Sequence, residues 1–412
     1  MSPRSSEPLR SSAAHRAALL ILALAPATGL ATSCAASRSA QAPSPLASEP
    51  PGPGAHPRRF TGAVTALADK LEASYVIRDV GARYAARLRA NLAQGAYDAF
   101  SDAGAIADQL SDDLQAVAPD GHLQVMEESN LTPDGHMRRP PRRNPLTRVT
   151  RAADPGNPPR DSRGPRVIHG PEGPGGLGGA SGPGGPDGRR RMSPIGDIRW
   201  VADGVAYIQL YESPGTPENV AAVDRFMAEH ASAKAIIIDA RGHHGGTSAE
   251  MDVMLPYLYA TETPLVDMEV TEEVEHGQRG TPPPDFPPQM RKVPAPPGMV
   301  RREQVVTPHA TEHRLFTAKV FYLTSAQTAS AGEHLAFALK RTGRAVLIGE
   351  RTAGANHFGN WEPIGDGIAA FIPLGRTFDP VTGADWEGVG VDPDVAVPAD
   401  GALDEAVRRA TH

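Results

Sequence analysis

A single cysteine, Cys34, occurs among the 412 residues. No intramolecular disulfide can form, so the fold has to rest on core packing. Beyond the N-terminus the chain lacks any apolar run long enough to cross a bilayer. It also lacks a strong charge of one sign. A formal net charge of -7 gives no electrostatic reason to expect nucleic acid as a partner. No Gly-Lys-Ser/Thr follows a glycine-rich turn, which excludes a Walker phosphate loop. What the chain has in excess is glycine and proline, 42 and 41 residues, so part of it is expected to be linker rather than core.

The first residues read as an export signal, 1–34. Arg4, Arg10 and Arg16 precede the apolar stretch Ala17 to Ala25, which is too short to span a membrane. Leu30-Ala-Thr-Ser-Cys34 follows and resembles a bacterial lipobox, in which Cys34 is the lipidation site. Residues 35–58, rich in Ser, Ala and Pro, read as a flexible tether. From 59 to 128 apolar residues recur at helical spacing: Val64, Leu67, Leu71 and Tyr75, then Tyr84, Leu88 and Leu92, then Ile106, Leu110 and Leu114. This predicts a small helical subdomain, closed by Asp120-Gly121-His122 and a short strand at 122–125. Residues 129–194 carry too few apolar side chains to offset the entropy of ordering and read as a disordered linker.

Residues 195–412 alternate strand and helix patterns, which indicates an α/β domain. Three segments there and before it could carry chemistry, each where a strand meets a turn or helix. Ser330 lies at the start of a predicted helix, where a hydroxyl serves either as an activated nucleophile or simply as an N-cap. Asp239-Ala-Arg-Gly-His-His-Gly-Gly246 ends a buried strand, and its paired glycines suit backbone donors for an oxyanion. His243 and His244 are adjacent, their side chains diverge, and no second ligand pair is spaced to join them, so no metal is expected. His122 taken alone reads as a surface turn histidine.

Taken in order, the segments Asp239 to Gly246, Thr328-Ala-Ser-Ala-Gly-Glu333, Gly349-Glu-Arg-Thr-Ala-Gly354 and Gly390-Val-Asp-Pro-Asp394 resemble the hallmarks of the tail-specific protease family. That family includes C-terminal-processing peptidases, the tricorn core peptidase and the repeats of interphotoreceptor retinoid-binding protein. The resemblance covers about 60–128 and 195–410. It implies a crotonase-like ββα-spiral catalytic domain, no cofactor, and a peptide or protein substrate. It implies Ser330 as nucleophile, and an oxyanion hole from the N–H of Ala331 and of Gly245 or Gly246. Ser-Lys members carry a lysine where this chain has Ala355. The tricorn-like and retinoid-binding-protein-like branches use a histidine from the N-terminal subdomain, which His122 matches. The orienting glutamate of the tricorn-type arrangement matches Glu387, and its bridging serine is replaced by Gly121. His243 stands where the family has asparagine, and no PDZ domain is apparent.

The expected function is therefore an exported serine endopeptidase or C-terminal-processing peptidase. The alternative is a non-catalytic protein binding an apolar ligand or peptide on the same fold. If the lipobox is real, Cys34→Ala releases the protein from the membrane fraction, whereas the wild type resists salt extraction. Wild-type protein recovered wholly in the soluble fraction of a cell lysate would reject the anchor.

Overall fold

The computed structural model describes residues 59–131, 193–277 and 290–412. The signal with Cys34, the tether, almost all of the expected linker and much of the proline-rich stretch at 280–298 lie outside the described residues.

The chain begins with three helices, α1 (Thr61–Ser74), α2 (Arg78–Ala93) and α3 (Ala103–Val117), followed by β1 (Gln124–Glu127). Next come β2 (Ile195–Ala202), β3 (Val205–Leu210), α4 (Pro217–Glu229), β4 (Ala235–Asp239), α5 (Ala249–Met254), β5 (Thr263–Thr271) and α6 (Glu272–Glu275). Then β6 (Arg291–Val293), β7 (Met299–Val306), β8 (Lys319–Thr324), α7 (Ala331–Arg341), β9 (Val346–Gly349), β10 (Phe358–Gly365), β11 (Ile368–Phe378), β12 (Val395–Ala396) and α8 (Ala402–Thr411) complete it.

Among the described residues these strands form two six-stranded sheets. In the first, β3, β4, β8, β9 and β12 run parallel, and β2 adds antiparallel at one edge. Its central strand β4 reads Ala-Ile-Ile-Ile-Asp and every residue is buried, as a parallel strand covered on both faces requires. Ile236 and Ile238 face α4, α5 and α7, while Ile237 faces Ala402 and Ala406 of α8. The parallel strands end in Leu210, Asp239, Thr324 and Gly349. The loops leaving these carboxyl ends hold the candidate residues.

The second sheet is antiparallel, with β11 pairing to β1, β10 and β5, then β7 and β6. The sequence pattern hides most of it. Strand β7 carries Arg301 and Arg302, whose charges are matched by acids of the neighbouring strand β5 and of α6 rather than exposed. Arg301 reaches the buried Glu269 of β5 at 2.8 Å, Arg376 of β11 reaches the same carboxylate at 2.6 Å, and Arg302 reaches Glu275 at 2.5 Å. Strand β11 also continues beyond the expected Ile372 through Pro373 and Gly375 to Phe378. The helix expected over 248–259 is α-helical only to Met254, with Pro256 in a following 3-10 turn.

The helical subdomain forms as its periodicity predicts, and Asp102 caps α3 through the N–H of Ala105. Its apolar face closes on the antiparallel sheet, so Leu67, Leu71, Leu88 and Leu110 share one core with Val125, Ile368, Ala370 and Ile372. Leu110 is fully buried in that core. Leu110→Ala is therefore expected to lower the unfolding free energy by about 2–5 kcal/mol in a denaturant titration.

Candidate active site

Ser330 is built into an unfavourable backbone conformation. Its φ of 53° and ψ of -119° place a non-glycine residue at positive φ, just ahead of Ala331, the first residue of α7. Such a conformation costs about 1–3 kcal/mol and persists only where the surroundings impose it. Here the turn is tied on two sides. Thr328 donates to Ala240 O at 2.8 Å, and Ala329 N donates to His243 O at 2.9 Å. Ala353 N donates to Thr328 O at 2.9 Å.

Beneath the turn lies the buried carboxylate of Glu333. One of its oxygens accepts from Ser330 N at 2.9 Å and Ala355 N at 2.8 Å. The other accepts from Thr352 Oγ1 at 2.5 Å and Gly354 N at 2.6 Å. Burial pushes its pKa up to about 7 against the pull of these donors.

The glycine turn after β4 closes over the Ser330 side chain. A Cβ on Gly245 would lie 2.7 Å from Cβ and 3.1 Å from Oγ of Ser330, and φ at this residue is 116°. Only glycine fits so close an approach. The N–H of Gly245 donates to His243 Nδ1 at 3.0 Å, while His243 Nε2 meets Ser213 Oγ at 3.0 Å. Because Nδ1 accepts, the ring proton sits on Nε2 and is given to Ser213. Burial, aided by the charge of His244, lowers the His243 pKa to about 4 and keeps the ring neutral. This histidine braces the turn where the resembled family has asparagine. Among the described residues no protein acceptor takes the N–H of Gly246 or of Ala331.

The third wall comes from the turn between α3 and β1. Asp120 accepts from His122 N and Leu123 N on one carboxylate oxygen, each at 2.8 Å. Its other oxygen accepts from the Tyr75 hydroxyl and meets His357 Nδ1, both at 2.7 Å. Glu387 accepts from Gly121 N at 2.7 Å on one oxygen, and from Asn356 N at 2.7 Å and His357 N at 3.0 Å on the other. A Cβ on Gly121 would stand 2.9 Å from Ala355 Cα and Gly354 O, so the turn sits directly on the 354–355 backbone. A serine at 121 would not fit there. The half-buried His122 ring stacks on Phe371 at 5.2 Å, and its buried Nδ1 has no hydrogen-bond partner among the described residues. Burial lowers the His122 pKa to about 4, so this imidazole is neutral at ordinary pH.

Two segments match known protein families. Residues 204–397 match peptidase family S41, and residues 57–151 match the N-terminal domain of peptidase S41 in eukaryotic IRBP. The chain belongs to peptidase family S41. Similar solved structures include the photosystem II D1 C-terminal processing protease, at 16% identity over 84% of this chain and 96% of that one, with a TM-score of 0.47. A lipoprotein from Streptococcus agalactiae is 11% identical over 85% and 95%, with a TM-score of 0.45. Mature CPAF in complex with lactacystin is 16% identical over 50% of this chain, with a TM-score of 0.38. The match spans about half of CPAF's own length, 49%.

Within this S41 fold, Ser330, Ala331, Gly245 and Gly246 come together at the carboxyl ends of β4 and β8. The turn bearing His122, with Glu387, reaches them only by way of Gly121, Ala355 and Glu333; among the described residues no hydrogen bond links the His122 ring to Ser330, and Cys34 lies outside the described residues. Sequence reasoning singled out nothing at Ser213, took Tyr75 only as part of an apolar helix face and Glu333 only as the end of a motif, and held His357 only as the base to consider next after His122. A glutamate three residues after a helix-starting serine is a capping-box signal, and it was the available clue to Glu333. Asp120, His357 and Glu387 also form a group of possible metal ligands, whose atoms lie within 4.8 Å of one another. All three side chains already hold protein partners.

Glu333→Gln would set an amide NH2 against the backbone donors whichever way the side chain turned. It is expected to destabilise the fold by about 1–3 kcal/mol in equilibrium unfolding, the cost of leaving buried donors unpaired.

Proposed function

We propose that the chain is an exported serine endopeptidase or C-terminal-processing peptidase that acts through a Ser330 acyl-enzyme with His122 as general base. The observation that carries this reading is the backbone of Ser330. A strained residue at positive φ, pinned by Glu333 and covered by Gly245, presents a hydroxyl at the start of a helix. The position of His122 supports it. The base stands on a turn packed against Ala355, whose N–H shares one carboxylate oxygen with the N–H of Ser330.

Ser330 Oγ attacks the carbonyl carbon of an extended peptide as His122 takes the hydroxyl proton. The oxygen that gains charge is received by the N–H groups of Ala331 and Gly246, both free of acceptors among the described residues. Gly245 contributes space rather than a donor, since its own N–H is turned to His243. The C–N bond then breaks, and the leaving amine takes the proton from His122. Water, deprotonated by the same imidazole, hydrolyses the ester and frees Ser330. Glu387 orients the base through the N–H of Gly121 rather than through the ring. Export is supported by the apolar run at 17–25 behind Arg4, Arg10 and Arg16.

Ser330→Ala is expected to abolish peptide hydrolysis and fluorophosphonate labelling without unfolding the protein. His122→Ala is expected to cost about 10⁴-fold in rate. The base must be unprotonated to act, and its pKa is lowered to about 4. The acid limb of kcat/KM should therefore fall near pH 4, below the value of about 6.5 for an ordinary histidine. Retained turnover by Ser330→Ala would refute the mechanism, and an acid limb at the ordinary histidine value would refute the buried neutral base.

A further inference from the structure

In a serine–histidine–acid triad the carboxylate bonds directly to the imidazole. In this protein no carboxylate reaches His122 Nδ1 among the described residues, and the acids act on the backbone that carries the ring instead. Three successive N–H groups are held this way: Gly121 by Glu387, and His122 and Leu123 by Asp120. The two carboxylates belong to segments far apart in sequence. What joins them is His357, whose Nδ1 lies 2.7 Å from Asp120 Oδ2 and 3.8 Å from Glu387 Oε2. His357 is itself buried, at 3% exposure, and its ring meets the Tyr75 ring edge-on at 6.0 Å.

We propose that His357 is a positioning residue whose imidazolium bridges Asp120 and Glu387 and thereby holds the Gly121–Leu123 backbone, and with it the His122 ring, in place for Ser330. The proposal rests on the reading of His122 as the base.

Two carboxylates buried this close repel each other unless a cation stands between them. Burial by itself would lower the His357 pKa. The hydrogen bond and charge of Asp120, with Glu387 and Asp385, raise it above the ordinary histidine value. Burial would likewise push the Asp120 carboxyl up, but His357 and the Tyr75 hydroxyl outweigh it and hold the carboxyl below the usual range. Burial and the charge of Asp120 push Glu387 above the usual carboxylate range, with His357 opposing. The charged and titratable groups around the ring are therefore Asp120, Glu387, Asp385, Tyr75 and His122. Loss of the His357 proton leaves the two carboxylates unshielded. The two then repel each other, their hold on the turn weakens, and His122 drifts from the nucleophile. Activity should therefore fall as pH rises through the His357 pKa, giving an alkaline limb separate from the acid limb of His122.

The test uses the full chain and its His357→Gln variant, with steady-state kinetics on a peptide substrate across pH. The expected result is a kcat lower by about 10²-fold, the scale set by misplacing a reacting group by roughly an ångström. KM should change little, and the alkaline limb should disappear. An unchanged kcat with the alkaline limb intact overturns the proposal, even while Ser330→Ala stays inactive as the underlying mechanism requires. Inactivity of His357→Gln equal to that of Ser330→Ala, together with a near-normal rate for His122→Ala, would make His357 the base. That outcome overturns both this proposal and the assignment of His122. If His357→Gln fails to fold, NMR titration of the histidine rings in Ser330→Ala decides the matter. A His357 midpoint above about 6.5 is expected, and one below it overturns the bridge.

Discussion

A single buried carboxylate governs the geometry of this site. Glu333 gathers four donors from two stretches of chain, Ser330 on one side and Thr352, Gly354 and Ala355 on the other. It holds Ser330 in a conformation that the residue would not adopt alone. It also fixes the 352–357 segment, on which Gly121 rests and from which His357 projects. A hydrogen-bonded carboxylate suits this task because each oxygen accepts two donors at once, so one side chain sets the spacing of several backbone atoms.

The same device recurs with Asp120 and Glu387, and in all three cases the acid grips backbone N–H groups. Backbone has fewer ways to move than a long side chain, so the arrangement is pre-organised at low entropic cost. The arrangement depends on glycine wherever two backbones meet. Gly121 lies against Ala355 and Gly245 against Ser330, and neither place has room for a Cβ. His243 extends the pattern, since one neutral imidazole ties Gly245 to Ser213 through its two nitrogens.

Some of this was legible in the sequence. The run Ala235 to Asp239 declared a buried parallel strand, and the spacing of Val64, Leu67 and Leu71 declared a helix, because burial on those elements follows a fixed period. Ser330 and the paired glycines stood out because they close strands at helix starts. Strand β7 did not, since Arg301 and Arg302 break the apolar pattern and make sense only beside Glu269 and Glu275. The place of His357 between the two acids was equally opaque. Its significance lies in Asp120 and Glu387, and no local pattern announces a partner so distant along the chain. The direction of the Gly245 N–H was likewise hidden, because it is decided by the histidine at 243. A helix-start serine next to small residues reads the same whether its φ is negative or positive, which is why Ser330 could not be told from a simple cap.

The shared core of the helical subdomain has a consequence for the order of assembly. Tyr75, Asp120 and His122 belong to the first part of the chain, yet the sheet that covers their helices is completed by β10 and β11 near its other end. During synthesis the α1–α3 face therefore cannot complete its core until β11 has emerged. Pairings this distant along the chain form slowly, because a long loop must close before they give any return. The turn that bears His122 and the turn that bears Ser330 meet only then. A growing chain thus keeps these two turns apart until folding is nearly finished.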